Sequence, residues 1–211
     1  MQLPLDILKY LLTECGLCID DRTVSAYWQH LDSVGEPVAM KTKGFREAAS
    51  MPVWPLGLYG DDCVMGLVTS PYSKMLGIFM SLPLYRPTSV RMSRYLIFSI
   101  EVDKIVSVTE TLYPVFERIV ASVNELVESG INGRQFLLTE IRGDQSFFRM
   151  IFRYRSWWKH RNICYKCCAT TDQNPVNYLL YNTDNGWEST VRSTEQFILE
   201  ELELPMCSLA V

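Results

Sequence analysis

The sequence predicts an α/β domain on a mixed sheet, its elements in the order βββαβα behind a pair of N-terminal helices. Three short apolar runs bounded by Gly, Pro and Ser follow one another without an intervening helix: residues 53–59 (VWPLGLY), 75–80 (MLGIFM) and 95–100 (YLIFSI). That succession suits an antiparallel meander. The clearest helical periodicity in the chain comes next, at 112–130, and then a fourth strand-like run, RQFLLTEI at 134–141. A strand reached through a crossover helix pairs parallel to the sheet it rejoins, so the sheet is mixed rather than doubly wound and parallel.

The elements follow from local pattern. Residues 3–14 place Leu5, Leu8, Leu11 and Leu12 at helical spacing, with Ile7 beside them and Gly16 as a stop. Asp20 or Asp21 can cap a second helix, with Val24, Tyr27, Trp28 and Leu31 on one side, completing a helical hairpin over 1–34. The Gly and Pro of GEPVAMKTKG (35–44) read as turn signals, and 35–52 as a linker. Pro55 has no N–H to give a ladder, which suits an edge or a strand entry. In 112–130, Val115, Ile119, Val123, Leu126 and Val127 share a face and Gly130 ends the helix. DQSFFRMIFRY (144–154) is a second long helix and NYLLYN (177–182) a further strand. STEQFILEELEL (193–204) is an amphipathic helix capped by Ser193 or Thr194. The expected division is a core over 53–190, with a Cys-rich segment at 160–168, and a C-terminal helix and tail over 191–211.

Composition narrows the function classes. The chain has 211 residues, 48% of them hydrophobic and 21% charged, enough for one domain with a sizeable core and too apolar for disorder. A net charge of −4 argues against a general nucleic-acid coat protein. The charge is uneven, however: Arg142, Arg149, Arg153, Arg155, Lys159, Arg161 and Lys166 stand against Asp144, and the tail carries Glu195, Glu200, Glu201 and Glu203. Seven cysteines, an odd number and partly clustered, point to a reduced, intracellular protein. The N-terminal apolar stretch carries Asp6, Lys9 and Glu14, so it is read neither as a secretory segment nor as a membrane span. No membrane and no small-molecule cofactor are expected.

Acids end two of the strand-like runs. The first closes in Gly60-Asp61-Asp62 and the fourth in Arg142-Gly143-Asp144. If the first and fourth strands are neighbours, their acids converge on one edge, where carboxylates can hold Mg²⁺ or Mn²⁺ for phosphodiester chemistry. The same tripeptides are good turns, and Asp144 is well placed to cap the helix that follows. Alternation of side chains predicts that only one of Asp61 and Asp62 faces the site.

Two further features carry chemistry. His160-x-x-x-Cys164-x-x-Cys167-Cys168 has metal-ligand spacing, with Cys164 and Cys167 as a thiolate pair for Zn²⁺; His160, Cys168 or the Cys15-x-x-Cys18 pair would complete the set. The bland alternative is a group of reduced, partly buried thiols. RMIFRYRSWWKHR (149–161) interleaves bases with aromatics, so Arg149, Arg153, Arg155, Trp157, Lys159 and Arg161 are candidate nucleic-acid contacts. Phe148, Ile151 and Phe152 would then face the core, leaving some of the bases as a solvated helix face.

LYGDD (58–62), TEIRGDQSFFRMIF (139–152) and ICYKCCAT (163–170) together resemble the transposase-like proteins of the Kyakuja–Dileera–Zisupton group and their Plavaka relatives, over roughly residues 53–190. The resemblance implies an RNase H-like fold, DDE-type DNA cleavage and strand transfer, DNA as partner and a nuclear location. It matches Asp61 or Asp62 to the first acid, Asp144 to the second, and Cys164 and Cys167 to the thiol pair. A third acid belongs on a helix after a fifth strand, where only Glu195, Glu200, Glu201 and Glu203 are at hand. The expectation is therefore a transposon-derived domain, either active or a decayed fragment that keeps the fold. The alternative is a non-catalytic protein- or nucleic-acid-binding module that uses the helical hairpin and a zinc knuckle.

Overall fold

The computed structural model describes residues 1–64, 74–87 and 93–152. The chain divides into two compact units, one running Met1–Phe147 and a second beginning at Phe148. Among its described residues the first holds a four-stranded mixed sheet and four α-helices, an α/β architecture. The expected strand at 177–182, the helix at 193–204 and the Cys-rich segment 160–168 lie outside the described residues.

Helices α1 (Pro4–Thr13), α2 (Asp21–Ser33) and α3 (Pro37–Ala48) precede the sheet. Proline at the start of α1 leaves Leu5 to donate its backbone N–H to the buried Ser122 Oγ at 2.9 Å, so a helix-end donor is satisfied from another helix. α2 is tied to the sheet by Trp28, whose Nε1 donates to the Val53 carbonyl at 2.8 Å.

Helix α3 corrects the expected linker at 35–52. The residues that read as turn signals have helical roles. Gly35, at φ +69°, closes α2 in the left-handed conformation that other residues resist. Pro37 opens α3, where a missing N–H is harmless. The helix is held by burial of Ala39 and Thr42 and by Arg46, which bonds both carboxylate oxygens of Asp32 on α2 at 2.7 and 3.3 Å.

The sheet comprises β1 (Val53–Val64), β2 (Lys74–Ser81), β3 (Arg94–Glu101) and β4 (Gln135–Gly143), in the order β3-β2-β1-β4. β1–β2 and β2–β3 are antiparallel, and β1–β4 is parallel. The crossover is α4 (Tyr113–Glu128), entered through a π turn at Val108–Leu112 and ended before Gly130 at φ +65°. Pro55 meets its expectation. It lies where β1 pairs with β4 alone, since pairing with β2 begins at Gly57↔Ser81, so its missing N–H interrupts no β2 ladder.

One face of the sheet presents Trp54, Leu56, Leu58, Leu76, Ile78, Met80 and Phe136, all buried, and α4 adds Ile119, Val123 and Leu126. Burying each such side chain contributes roughly 1.5–3 kcal/mol. Among the described residues, no helix is long and apolar enough to cross a membrane.

Strands β1 and β4 both outrun the apolar runs that announced them. Gly60-Asp61-Asp62 is strand, not turn, because Asp61 and Asp62 pair with Gly77 and Leu76 of β2. Arg142 and Gly143 likewise stay in β4, paired with Tyr59 and Gly60. Backbone pairing with a neighbour overrides turn composition at both places. Helix α5 (Gln145–Phe152) then starts directly after Asp144.

Candidate metal centre

Parallel pairing brings the C-terminal ends of β1 and β4 to the same edge of the sheet. Their last shared rung is Gly60↔Gly143. The next residue along the chain is an aspartate in each case, Asp61 in β1 and Asp144 just past the end of β4, and Asp62 follows Asp61. One carboxylate oxygen from each of Asp61, Asp62 and Asp144 lies within 4.8 Å of the others; Asp61 and Asp62 are half-buried and Asp144 is exposed.

That both Asp61 and Asp62 reach the cluster corrects the expectation that alternation would admit one. Alternation fixes where each Cβ points, but β4 no longer flanks β1 beyond Gly60. Past the end of that pairing, carboxylates that leave from opposite faces of the strand both come within 4.8 Å of Asp144.

Each carboxylate has a partner. The Tyr59 hydroxyl donates to Asp61 Oδ2 at 2.5 Å. Lys74 Nζ donates to Asp62 Oδ2 at 3.0 Å. The Phe147 backbone N–H donates to Asp144 Oδ1 at 2.6 Å, so Asp144 caps α5 as the sequence allowed and still belongs to the cluster. A carboxylate has two oxygens with several acceptor sites, so capping and cluster membership are compatible. The bond to Asp61 disfavours loss of the Tyr59 proton and, with burial second, raises the phenol's pKa above its ordinary value. The Arg94 guanidinium stands 4.0 Å from the centroid of the same ring.

Three like charges at this spacing repel, and among the described residues the Lys74 ammonium pairs with one of them, Asp62. The donor set is all hard oxygen, the kind that Mg²⁺ or Mn²⁺ takes. Two oxygens on one octahedral Mg²⁺ stand about 3 Å apart in adjacent positions and about 4 Å apart across the ion, given Mg–O near 2.1 Å. The cluster, with its oxygens within 4.8 Å of one another, is of that order.

Of the other candidates, Cys15 and Cys18 are among the described residues and are not part of this cluster. Cys15 and Cys18 are exposed free thiols at the end of α1 and ahead of α2. Arg149 falls on α5, beyond the unit boundary. The Arg149 side chain, Arg153, Arg155, Trp157, Lys159, Arg161, His160, Cys164, Cys167 and Cys168 lie outside the described residues, as do Glu195, Glu200, Glu201 and Glu203. Lys74 and Tyr59 were missed. Tyr59 lies two positions before Asp61 on one strand face, a signal that alternation offers. Lys74 is found only through the β1–β2 register, which the sequence between the strands does not fix. Compared with family models, curated proteins and solved structures, the chain gave no match.

Proposed function

We propose that the chain is a transposon-derived, RNase H-like domain of the DDE type, related to the Kyakuja–Dileera–Zisupton and Plavaka proteins, whose chemistry is metal-dependent phosphodiester cleavage or strand transfer on DNA in the nucleus. The observation that carries the reading is the meeting of Asp61, Asp62 and Asp144 within 4.8 Å at the ends of two adjacent parallel strands. The strand order β3-β2-β1-β4, a meander joined to one parallel strand, supports it as an RNase H-like arrangement. Asp61, Asp62 and Asp144 would hold Mg²⁺ or Mn²⁺. Such an ion supplies a nucleophile at neutral pH and offsets charge on the oxygens of an in-line displacement at phosphorus. Tyr59 orients Asp61, the α5 amide orients Asp144, and Lys74 offers a cation beside the site for a phosphate oxygen. The basic aromatic segment 149–161 would contact DNA, and Cys164 with Cys167 would take Zn²⁺; both assignments rest on residue pattern.

A second reading is favoured by the capping bond of Asp144: the acid serves the helix alone, and the chain is a non-catalytic binding module. Mn²⁺ titration of the full chain separates the two through Asp144→Asn. Asparagine keeps the cap acceptor and removes the charge, so stability should stay within about 0.5 kcal/mol while Mn²⁺ binding is lost. A wild-type chain that takes up no Mn²⁺, or a variant that binds it equally well, sinks the metal reading and leaves the cap.

A further inference from the structure

In the described sheet, Gly60↔Gly143 is the one rung made of two glycines. Neither has the positive φ that calls for glycine elsewhere in the chain, at Gly16, Gly35, Gly130 and Gly133. Their requirement is space. A Cβ added at either position would collide with ring atoms of Phe147, and one on Gly143 would also stand 2.9 Å from the Gly60 carbonyl oxygen. The Phe147 ring therefore takes the space that side chains on both strands would fill, and the residue is 3% exposed.

The same residue donates its backbone N–H to Asp144 Oδ1. A cap bond alone fixes a carboxylate relative to its own helix and moves with it. A ring seated on Gly60 and Gly143 fixes the first turn of that helix relative to β1, the strand that carries Asp61 and Asp62. We infer that Phe147 is the positioning residue of the cluster, holding the Asp144 carboxylate against the other two through its ring and its amide together. The inference rests on the metal reading of that cluster and adds to it what sets the spacing.

The test is Mn²⁺ affinity of the full chain, by calorimetric titration and the Mn²⁺ electron paramagnetic resonance spectrum, with folding followed by circular dichroism. Phe147→Ala should weaken Mn²⁺ binding about 10- to 100-fold, the usual effect of removing a group that orients a ligand. Phe147→Leu should restore part of it. Gly60→Ala should weaken binding in the wild-type background and add little in a Phe147→Ala background, because its methyl group then meets no ring. Phe136→Ala, the same truncation at the other end of β4, is the control: it should lower stability and leave the affinity of folded protein unchanged. If Phe147→Ala fails to fold, Phe147→Leu and Gly60→Ala carry the test alone. Unchanged affinity in the folded Phe147 and Gly60 variants, beside a wild type that binds, overturns the inference and makes the ring plain core filling. A wild type that binds no Mn²⁺ overturns the metal reading itself, and the positioning role with it.

Discussion

At the entrance of the β1–β4 pair, Trp54 lies directly across from Phe136; both are fully buried, with ring centroids 5.7 Å apart in an edge-on arrangement. Arg134 places its guanidinium 5.0 Å from the Trp54 ring centroid. At the exit, the corresponding rung is Gly60 with Gly143, one ring from α5 fills the space, and three carboxylates follow. The same two strands are thus bulky and apolar at one end, bare and charged at the other. Large apolar burial at the entrance stabilises the fold, while like charges at the exit oppose it. Local rules broken at one place and offset elsewhere are expected at functional sites, and the proposed reading of the exit rests on that contrast.

The largest effect expected from breaking this contrast is on stability. Phe136→Ala empties a fully buried ring site beside Trp54 and should cost about 3–5 kcal/mol, read as a lower denaturant midpoint. A parallel loss of Mn²⁺ affinity in the folded variant would mean that the two ends are not independent. A smaller effect, of the opposite kind, is expected from Lys74→Gln. The Lys74 ammonium is 3.0 Å from Asp62, with its side chain 51% exposed, so on the metal reading it would compete with the divalent cation for that carboxylate. An exposed pair is worth about 1 kcal/mol or less, so its removal should tighten Mn²⁺ binding by up to about fivefold and barely move stability. Weaker binding instead would assign Lys74 the job of holding Asp62 in place.

The entrance was legible in the sequence and the exit only in part. Apolar runs and one periodic helix located the four described strands, and the crossover rule gave the parallel pairing that brings Asp61 and Asp144 together. Helix α3 was not legible, because Gly35, Pro37 and Gly44 are residue types that mark turns as readily as helix ends. The extension of β1 through Asp61 and Asp62 was hidden for a similar reason: pairing with Gly77 and Leu76 decides it, and composition argues the other way. The arrival of both Asp61 and Asp62 depends on where β4 stops flanking β1, which no local pattern states. Phe147 stood in the sequence only as one of several aromatics on a predicted helix. Its seat is defined by two glycines far apart in sequence, visible only once the register is known.

The subtlest expected difference between the ends is in how two tyrosines titrate. Tyr27, on α2 beside the Trp28 that bonds Val53 at the entrance, has its pKa raised above 10.0 chiefly by burial. Tyr59, at the exit, has its pKa raised chiefly by its hydrogen bond to Asp61. In both, the folded state holds the proton more tightly than the unfolded chain does. Their stabilising contribution is therefore complete below the unfolded value, about pH 10, and is lost as pH rises through the folded value. Asp61→Asn removes the acceptor charge at one end alone. It should bring Tyr59 ionisation to lower pH while Tyr27 stays where it was, measured by phenolate absorbance with Tyr59→Phe and Tyr27→Phe to assign the two transitions. If both tyrosines move, the charge at the exit is felt through the whole β1–β4 pair and the division between the two ends fails. If neither moves, the Tyr59–Asp61 bond does not persist in solution, and Asp61 is oriented by its strand alone.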